Sequence, residues 1–325
     1  MGKPGGMTAD LPEGCRQLID LQRGVLARRQ APEVGLDWST IRWQLDTGRW
    51  TPLQRGVYAT FTGEPTWEAV CWAAVLRAGP EAVLSHQTAA KLDGLTSARS
   101  AVIHVSVPLS KNVSSIPGVR LHRSVRLADA RHPSRTPPRT RIEETVLDLT
   151  QTVKTIDGAF GWLCQACGSR LTTSELLLTA LYKRPKIRWR GVLVGALDDI
   201  GDGAHSVLEI HYVRDVERPH GLPRARRQAR VTRSSGRIYL DNLVDRYRTC
   251  IELDGKASHP VADRWRDIAR DNASAADGIT TLRYGWPDVT EHPCQTADQI
   301  AEVLRLGGWP GQPTPCGPSC GLGRS

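Results

Sequence analysis

The chain has 325 residues, 40% of them hydrophobic, with 43 Lys and Arg against 34 Asp and Glu and a net charge of +9. This composition excludes disorder throughout, and the absence of any run of 18 apolar residues excludes an ordinary membrane-spanning helix. The basic excess favours an anionic partner, and 8 irregularly spaced Cys make no disulfide framework, so the chain reads as cytoplasmic.

Residues 1–10 read as a disordered tail. The first block, 11–62, opens with a short helix around Leu18, Ile19 and Leu21. A second helix is expected to begin at Val25 and Leu26, or to be short and begin or bend at Pro32, because an interior proline loses a hydrogen bond and clashes with the preceding turn. Gly35 marks a turn and Asp37-Trp38-Ser39 carries capping chemistry. A third helix then runs from Thr40 to Thr47 and is stopped by Gly48. Ile41 and Leu45, four apart, face the core of this helix, which leaves Thr40, Arg42, Trp43 and Asp46 on its remaining surface. Arg49-Trp50, Arg55-Gly56 and Val57-Tyr58 predict a basic hairpin. The succession describes a winged helix-turn-helix. Duplex DNA is its expected partner, contacted by Thr40, Arg42 and Trp43 on the helix and by Arg49 and Arg55 on the wing.

These residues, continuing through Leu84-Ser85-His86 and Gly94-Leu95, resemble the amino-terminal domain of AbiEi-family antitoxins over about Leu18 to Leu95. The resemblance implies a toxin–antitoxin setting with a cognate toxin protein as a possible partner.

The second block, 63–190, reads as an α+β domain. It predicts a helix over Trp67 to Arg77, with Trp67, Val70, Cys71, Ala74 and Val75 on one side, and another over Pro80 to Leu95. Strands follow at 102–107 and 119–122 around a loop at Ser110 to Pro117. Helices are expected at Ile142 to Val153, Phe160 to Cys167 and Thr173 to Leu181. The run Lys183 to Arg190 is either a phosphate-contacting segment or a solvated linker.

The third block, 191–309, holds the chemistry. Ser206-x-x-Glu209 is a capping box opening an amphipathic helix. Arg237 to Asp241 predicts a strand ending in an acid, Asn242 to Tyr247 a connection, and Arg248 to Asp254 a second strand. Alternation puts Thr249, Ile251 and Leu253 on one face and Cys250, Glu252 and Asp254 on the other. Two carboxylates two residues apart repel each other. If Asp241 lies on the neighbouring strand, three acids converge, and a hard divalent cation suits such oxygen ligands. His259 follows. A charged helix over 263–272, a strand at Thr280 to Tyr284 and a closing helix from Trp286 complete an α/β sandwich. The arginines at 224, 226, 227, 230, 233 and 237 could hold backbone phosphates or form an exposed basic loop.

Ser206-x-x-Glu209, Asp241, Glu252-Leu253-Asp254-Gly255, His259, Arg270-Asp271-Asn272 and Leu282-Arg283-Tyr284 resemble DUF559-type domains. These are relatives of the very-short-patch mismatch-repair endonucleases in the PD-(D/E)XK nuclease superfamily. The resemblance implies a restriction-endonuclease-like α/β sandwich that hydrolyses DNA phosphodiester bonds with Mg²⁺. Asp241, Glu252 and Asp254 would be metal ligands, Glu209 the helix acid, and His259 a proton carrier with a pKa near ~6.5. The superfamily's strongest form has Lys where this chain has Asp254. The alternative is therefore a non-enzymatic DNA-binding regulator or type IV antitoxin with a degenerate nuclease fold.

Cys164-x-x-Cys167 has the spacing of a zinc half-site, with Cys316 and Cys320 as an imaginable complement. Placed in an expected helix, the first pair reads as incidental thiols. Residues 310–325, rich in Gly and Pro, are expected to be a disordered tail.

Overall fold

The computed structural model describes residues 11–233, 236–254 and 278–322, which leaves the predicted tail at 1–10, His259 and the helix expected over 263–272 outside the described residues. The described residues form a mixed α/β protein with three small sheets among them. It divides into two compact units, Met1–Val153 and Lys154–Ser325. Residues 154–190, grouped above with the middle block, thus pack with the carboxy-terminal unit. Among the described residues no helix is long and apolar enough to cross a membrane.

The first unit opens with helix α1 (Glu13–Leu21), which buries Cys15 and Ile19. Leu21, one of the three apolar residues that suggested the helix, is 56% exposed. Val25 and Leu26 do not begin a helix, as their apolar character suggested; they lie in strand β1 (Val25–Ala27). Gly24 explains the change of course. Its φ of +80° ends the helical path, and an added Cβ would stand 2.6 Å from a Phe61 ring carbon. Two 3₁₀ turns follow, the second starting at Pro32 and closed by Gly35 in the left-handed region. The proline sits where its missing N–H costs nothing.

Helix α2 (Trp38–Asp46) leads into strands β2 (Thr51–Gln54) and β3 (Val57–Ala59). β3 pairs antiparallel with both β1 and β2, giving the order β1-β3-β2. Helix α3 (Trp67–Ala78) is buried on two sides. Cys71, Ala74 and Val75 face one cluster; Ala69, Trp72, Ala73 and Leu76 face another. The one-sided stripe expected for this helix was too narrow, and Val70, placed in it, is 37% exposed. The helix expected over Pro80 to Leu95 is instead strand β4 (Val83–Leu84) followed by α4 (His86–Leu92). β4 joins β5 (Ile103–Pro108) antiparallel, and β6 (Val119–Ser124) extends the sheet in parallel. Helices α5 (Leu127–Ala130) and α6 (Ile142–Thr150) complete the unit.

The second unit begins with helices α7 (Ile156–Gly168), α8 (Ser174–Tyr182) and α9 (Arg190–Gly201), the first two capped by Thr155 and Thr173. α10 (Val207–His211) runs directly into a π-helical turn over Tyr212–Glu217. A four-stranded sheet follows in the order β10-β9-β8-β7: β7 (Arg226–Arg233), β8 (Gly236–Val244), β9 (Thr249–Leu253) and β10 (Thr280–Tyr284). β7, β8 and β9 are antiparallel neighbours, while β10 lies parallel to β9. Ile251, Leu253, Leu282 and Tyr284 pack on one face with Leu208, Val213 and the closing helices α11 (Trp286–Thr290) and α12 (Pro293–Leu306).

Residues 310–322 are not the disordered tail that their Gly and Pro content suggested. The Thr314 amide donates to the His220 carbonyl at 2.8 Å, and Cys320 is buried.

Candidate functional site

Two surfaces carry the residues expected to function. In the first unit, Asp37 caps α2 by accepting from the Thr40 amide at 2.6 Å and from the Ser39 hydroxyl at 2.8 Å. Ile41 is buried beneath the helix, with Leu45 partly buried beside it. The alternation of faces leaves Arg42 and Trp43 exposed, Trp43 at 36%. The Arg42 Nε stands 3.7 Å from Asp46, and the Arg49 guanidinium lies 4.7 Å from the centre of the Trp43 ring. Trp43 and Arg49 therefore share one basic, aromatic patch, with Arg42 exposed at the neighbouring position of the helix. Arg55 is exposed at the β2–β3 turn, and Thr40 is half-buried in the first turn of the helix. Trp38, 41% exposed with the Arg28 guanidinium 3.8 Å from its ring centre, extends the patch and was missed in the sequence, where it reads as capping chemistry.

In the second unit, the strand carrying Asp241 does not end there. β8 runs on to Val244, so Asp241 is interior. Leu243 pairs with Cys250 and Asn242 with Ile251, and one further step of this register sets Asp241 opposite Glu252. Leu243 and Cys250 belong to a small cluster apart from the one holding Ile251 and Leu253, so the expected division of faces is present. Burial pushes the Cys250 thiol up to about 12, and the Glu252 and Asp241 charges add to the effect. Glu209 caps α10. Its two oxygens accept from the His205 amide and the Ser206 hydroxyl, both at 3.0 Å, and the Glu209 amide donates to Ser206 Oγ at 3.2 Å. Burial raises the Glu209 pKa, and the nearby Asp241 charge contributes in the same direction.

Asp241 and Glu252 thus share one face of the sheet, and Glu209 is near enough to feel the Asp241 charge. Glu252 has a partner the sequence did not reveal: Arg283, beside it in the parallel β9–β10 register, donates from Nε to Glu252 Oε2 at 2.9 Å. Asp254 follows at the end of β9, its amide bonded to the Tyr284 carbonyl at 2.9 Å. The close three-acid convergence expected above does not form. Among the described residues, the groups of three or more donors lying within 4.8 Å of one another contain none of these carboxylates.

Of the arginines before Asp241, those at 226, 227, 230 and 233 lie in strand β7 and Arg237 in β8 rather than in a loop, and part of the group is already neutralised. Arg224 pairs with Asp202 at 2.6 Å, Arg226 with Asp245 at 2.9 Å, and the buried Arg227 side chain with Glu217 at 3.0 Å. Of the basic run Lys183 to Arg190, Arg190 opens α9, and the Arg188 guanidinium lies 3.7 Å from the Trp189 ring centre.

Among the described residues, two donor groups do meet the distance requirement for a metal. The first is His86, His104 and His122 in the amino-terminal unit. Their rings stack, His86 on His122 at 3.7 Å and 16°, and His104 Nδ1 shares a hydrogen bond with His122 Nε2 at 2.9 Å. Lone pairs of stacked imidazoles point in parallel planes, so they do not converge on one ion. Burial pushes His104 down to about 4 and lowers His122, and nearby cationic groups act in the same direction.

The second group is His220, Cys294, Cys316 and Cys320 in the carboxy-terminal unit. Cys316 and Cys320 do take part in a metal-like cluster, but their neighbours are His220 and Cys294 rather than Cys164 and Cys167. The latter pair lies in α7, where burial raises the thiols to about 12 and about 11. The only local trace of this group in the sequence is the Cys-x-x-x-Cys spacing of 316 and 320.

In comparison with known proteins, the chain matches no family model and no curated protein.

Proposed function

We propose that the protein binds duplex DNA through its amino-terminal unit and that its carboxy-terminal unit is a nuclease-like domain of the PD-(D/E)XK type acting on DNA phosphodiester bonds. The observation that carries the reading is the antiparallel β8–β9 register, which carried one step past Asn242 and Ile251 sets Asp241 opposite Glu252, with Glu209 near enough to feel the Asp241 charge. The run of helix, three antiparallel strands and a fourth strand parallel to the third supports a restriction-endonuclease-like core. For the first unit, the support for a winged helix-turn-helix is a capped helix before a hairpin whose second strand also pairs with β1. Fold likeness alone does not carry activity, and the chemistry rests on the acids.

Hard carboxylate oxygens are the donors that Mg²⁺ prefers, so Asp241 and Glu252, with Asp254 next along the strand, fit such an ion in kind. Held there, it would polarise a phosphate oxygen and ease deprotonation of water. Arg283 positions Glu252 and balances its charge, and the exposed Arg42, Arg49 and Arg55 supply cations for backbone phosphates.

One observation favours a second reading, a DNA-binding regulator or antitoxin with a toxin protein as partner. Glu252 is engaged by Arg283, and Asp254 replaces the superfamily's Lys. Incubating the full chain with plasmid DNA, with Mg²⁺ or Mn²⁺ present or omitted, separates the two readings. The enzyme reading expects metal-dependent cleavage that Glu252→Ala and Asp241→Ala each abolish, with DNA affinity changed by no more than about twofold. Salt-sensitive binding without cleavage selects the regulator.

A further inference from the structure

We infer that His220, Cys294, Cys316 and Cys320 form a structural zinc site that fastens the end of the chain to the carboxy-terminal unit. The site does not depend on the nuclease reading. Three separate segments supply the donors: His220 just beyond the π-helical turn, Cys294 in the first turn of α12, and the Cys316/Cys320 pair from the segment after Trp309. Cys294 Sγ lies 3.7 Å from both Cys316 Sγ and Cys320 Sγ, and Cys320 Sγ lies 3.8 Å from His220 Nε2. A tetrahedron built with Zn–S near 2.3 Å and Zn–N near 2.0 Å has ligand-to-ligand edges of about 3.5 to 3.8 Å. Sulfur atoms 3.7 Å apart are also well beyond a disulfide bond of about 2.05 Å.

The tautomer of His220 is fixed by its surroundings. The ring is fully buried, and Nδ1 lies 2.8 Å from the Val216 carbonyl, which can only accept. Nδ1 therefore carries the proton, and the Nε2 lone pair is directed at the sulfurs. A ligating histidine commonly donates its other ring N–H to a backbone carbonyl in this way, which orients the ring and raises its basicity. Three thiolates and one imidazole match the Cys₃His set of closed structural sites, and their soft character selects zinc over Mg²⁺. The Thr314 amide bond to the His220 carbonyl brings the incoming segment to the same point. A buried cross-link here explains why a Gly- and Pro-rich segment with little apolar surface is held in place.

Elemental analysis of the full chain, purified without chelator, is expected to find about one zinc per chain. After removal of zinc, Co²⁺ should give sulfur-to-cobalt charge transfer and the intense red absorption of a tetrahedral thiolate site. Cys294→Ser and Cys320→Ser should each reduce zinc retention at least about tenfold, while Cys164→Ser leaves it unchanged. If a serine variant fails to fold, the cobalt spectrum of the wild-type chain still decides. The proposal is overturned by protein purified free of zinc that yields only a weak octahedral cobalt spectrum. It is equally overturned by full zinc retention in folded Cys294→Ser, or by a disulfide among Cys294, Cys316 and Cys320 in the freshly purified chain.

Discussion

The histidine stack of the amino-terminal unit and the cysteine–histidine group of the carboxy-terminal unit both bring their donor atoms within 4.8 Å of one another. They differ in where the lone pairs go. In the stack, His104 and His122 spend ring nitrogens on each other, and His104 Nε2 lies 3.3 Å from the Ser100 hydroxyl. In the second group a backbone carbonyl takes the Nδ1 proton of His220, which leaves Nε2 and three sulfurs facing inward. Proximity of donors is thus a weak criterion for a metal site, and direction decides it.

The largest expected effect comes from stripping zinc. Chelation should lower the melting temperature of the carboxy-terminal unit by roughly 10 °C or more, because metal affinity is also folding free energy. Calorimetry on the full chain should show no comparable shift for the amino-terminal unit. A shift in both would erase the distinction between the two groups. Cleavage assays should accordingly control Mg²⁺ by omission and return, since a chelator would also unfasten the chain end.

Acid should act in the opposite place. His104 is neutral when folded, with a pKa near 4 against 6.5 for a free imidazole. Between those values the unfolded chain binds the proton that the folded chain refuses, so the stability is present above pH 6.5 and is lost as pH falls toward 4. The loss should be on the order of 2 kcal/mol in urea unfolding of the amino-terminal unit at pH 7 and pH 4.5. A flat profile would show that the stack is open to water.

A smaller effect tests the acid face. Arg283→Gln removes the cation at 2.9 Å from the Glu252 side chain, which is 12% exposed, while Arg283 is itself 38% exposed. The cost should be about 1–2 kcal/mol by chemical denaturation, more than an open surface pair contributes. No change at all would remove Arg283 as the group that positions Glu252. The smallest effect should be Arg42→Ala, whose partner is 3.7 Å away and whose side chain is 71% exposed. Stability should move by less than about 0.5 kcal/mol while DNA affinity falls, measured by gel shift.

What could be read from the residues in order was local. Asp37 as a cap, Gly35 as a turn residue, Gly48 as a stop and Ser206-x-x-Glu209 as a capping box all concern bonds within four residues, and each is present. The division of β9 into an apolar and an acidic face follows from a period of two and is present as well. Where the reading went wrong, a tertiary partner had overruled a local preference. Val25 and Leu26 pair with β3, Pro80 to Leu95 gives up a strand to β5, and β8 runs past Asp241 because β9 continues beside it. The Arg283–Glu252 contact needs a parallel register across 31 residues, and the Cys320–His220 contact joins residues 100 apart. No window along the chain contains those pairs. Short-range hydrogen bonds and side-chain periodicity are written in the sequence, whereas the convergence of sulfur and nitrogen at one point is set by the path of the backbone, and only the folded structure fixes that path.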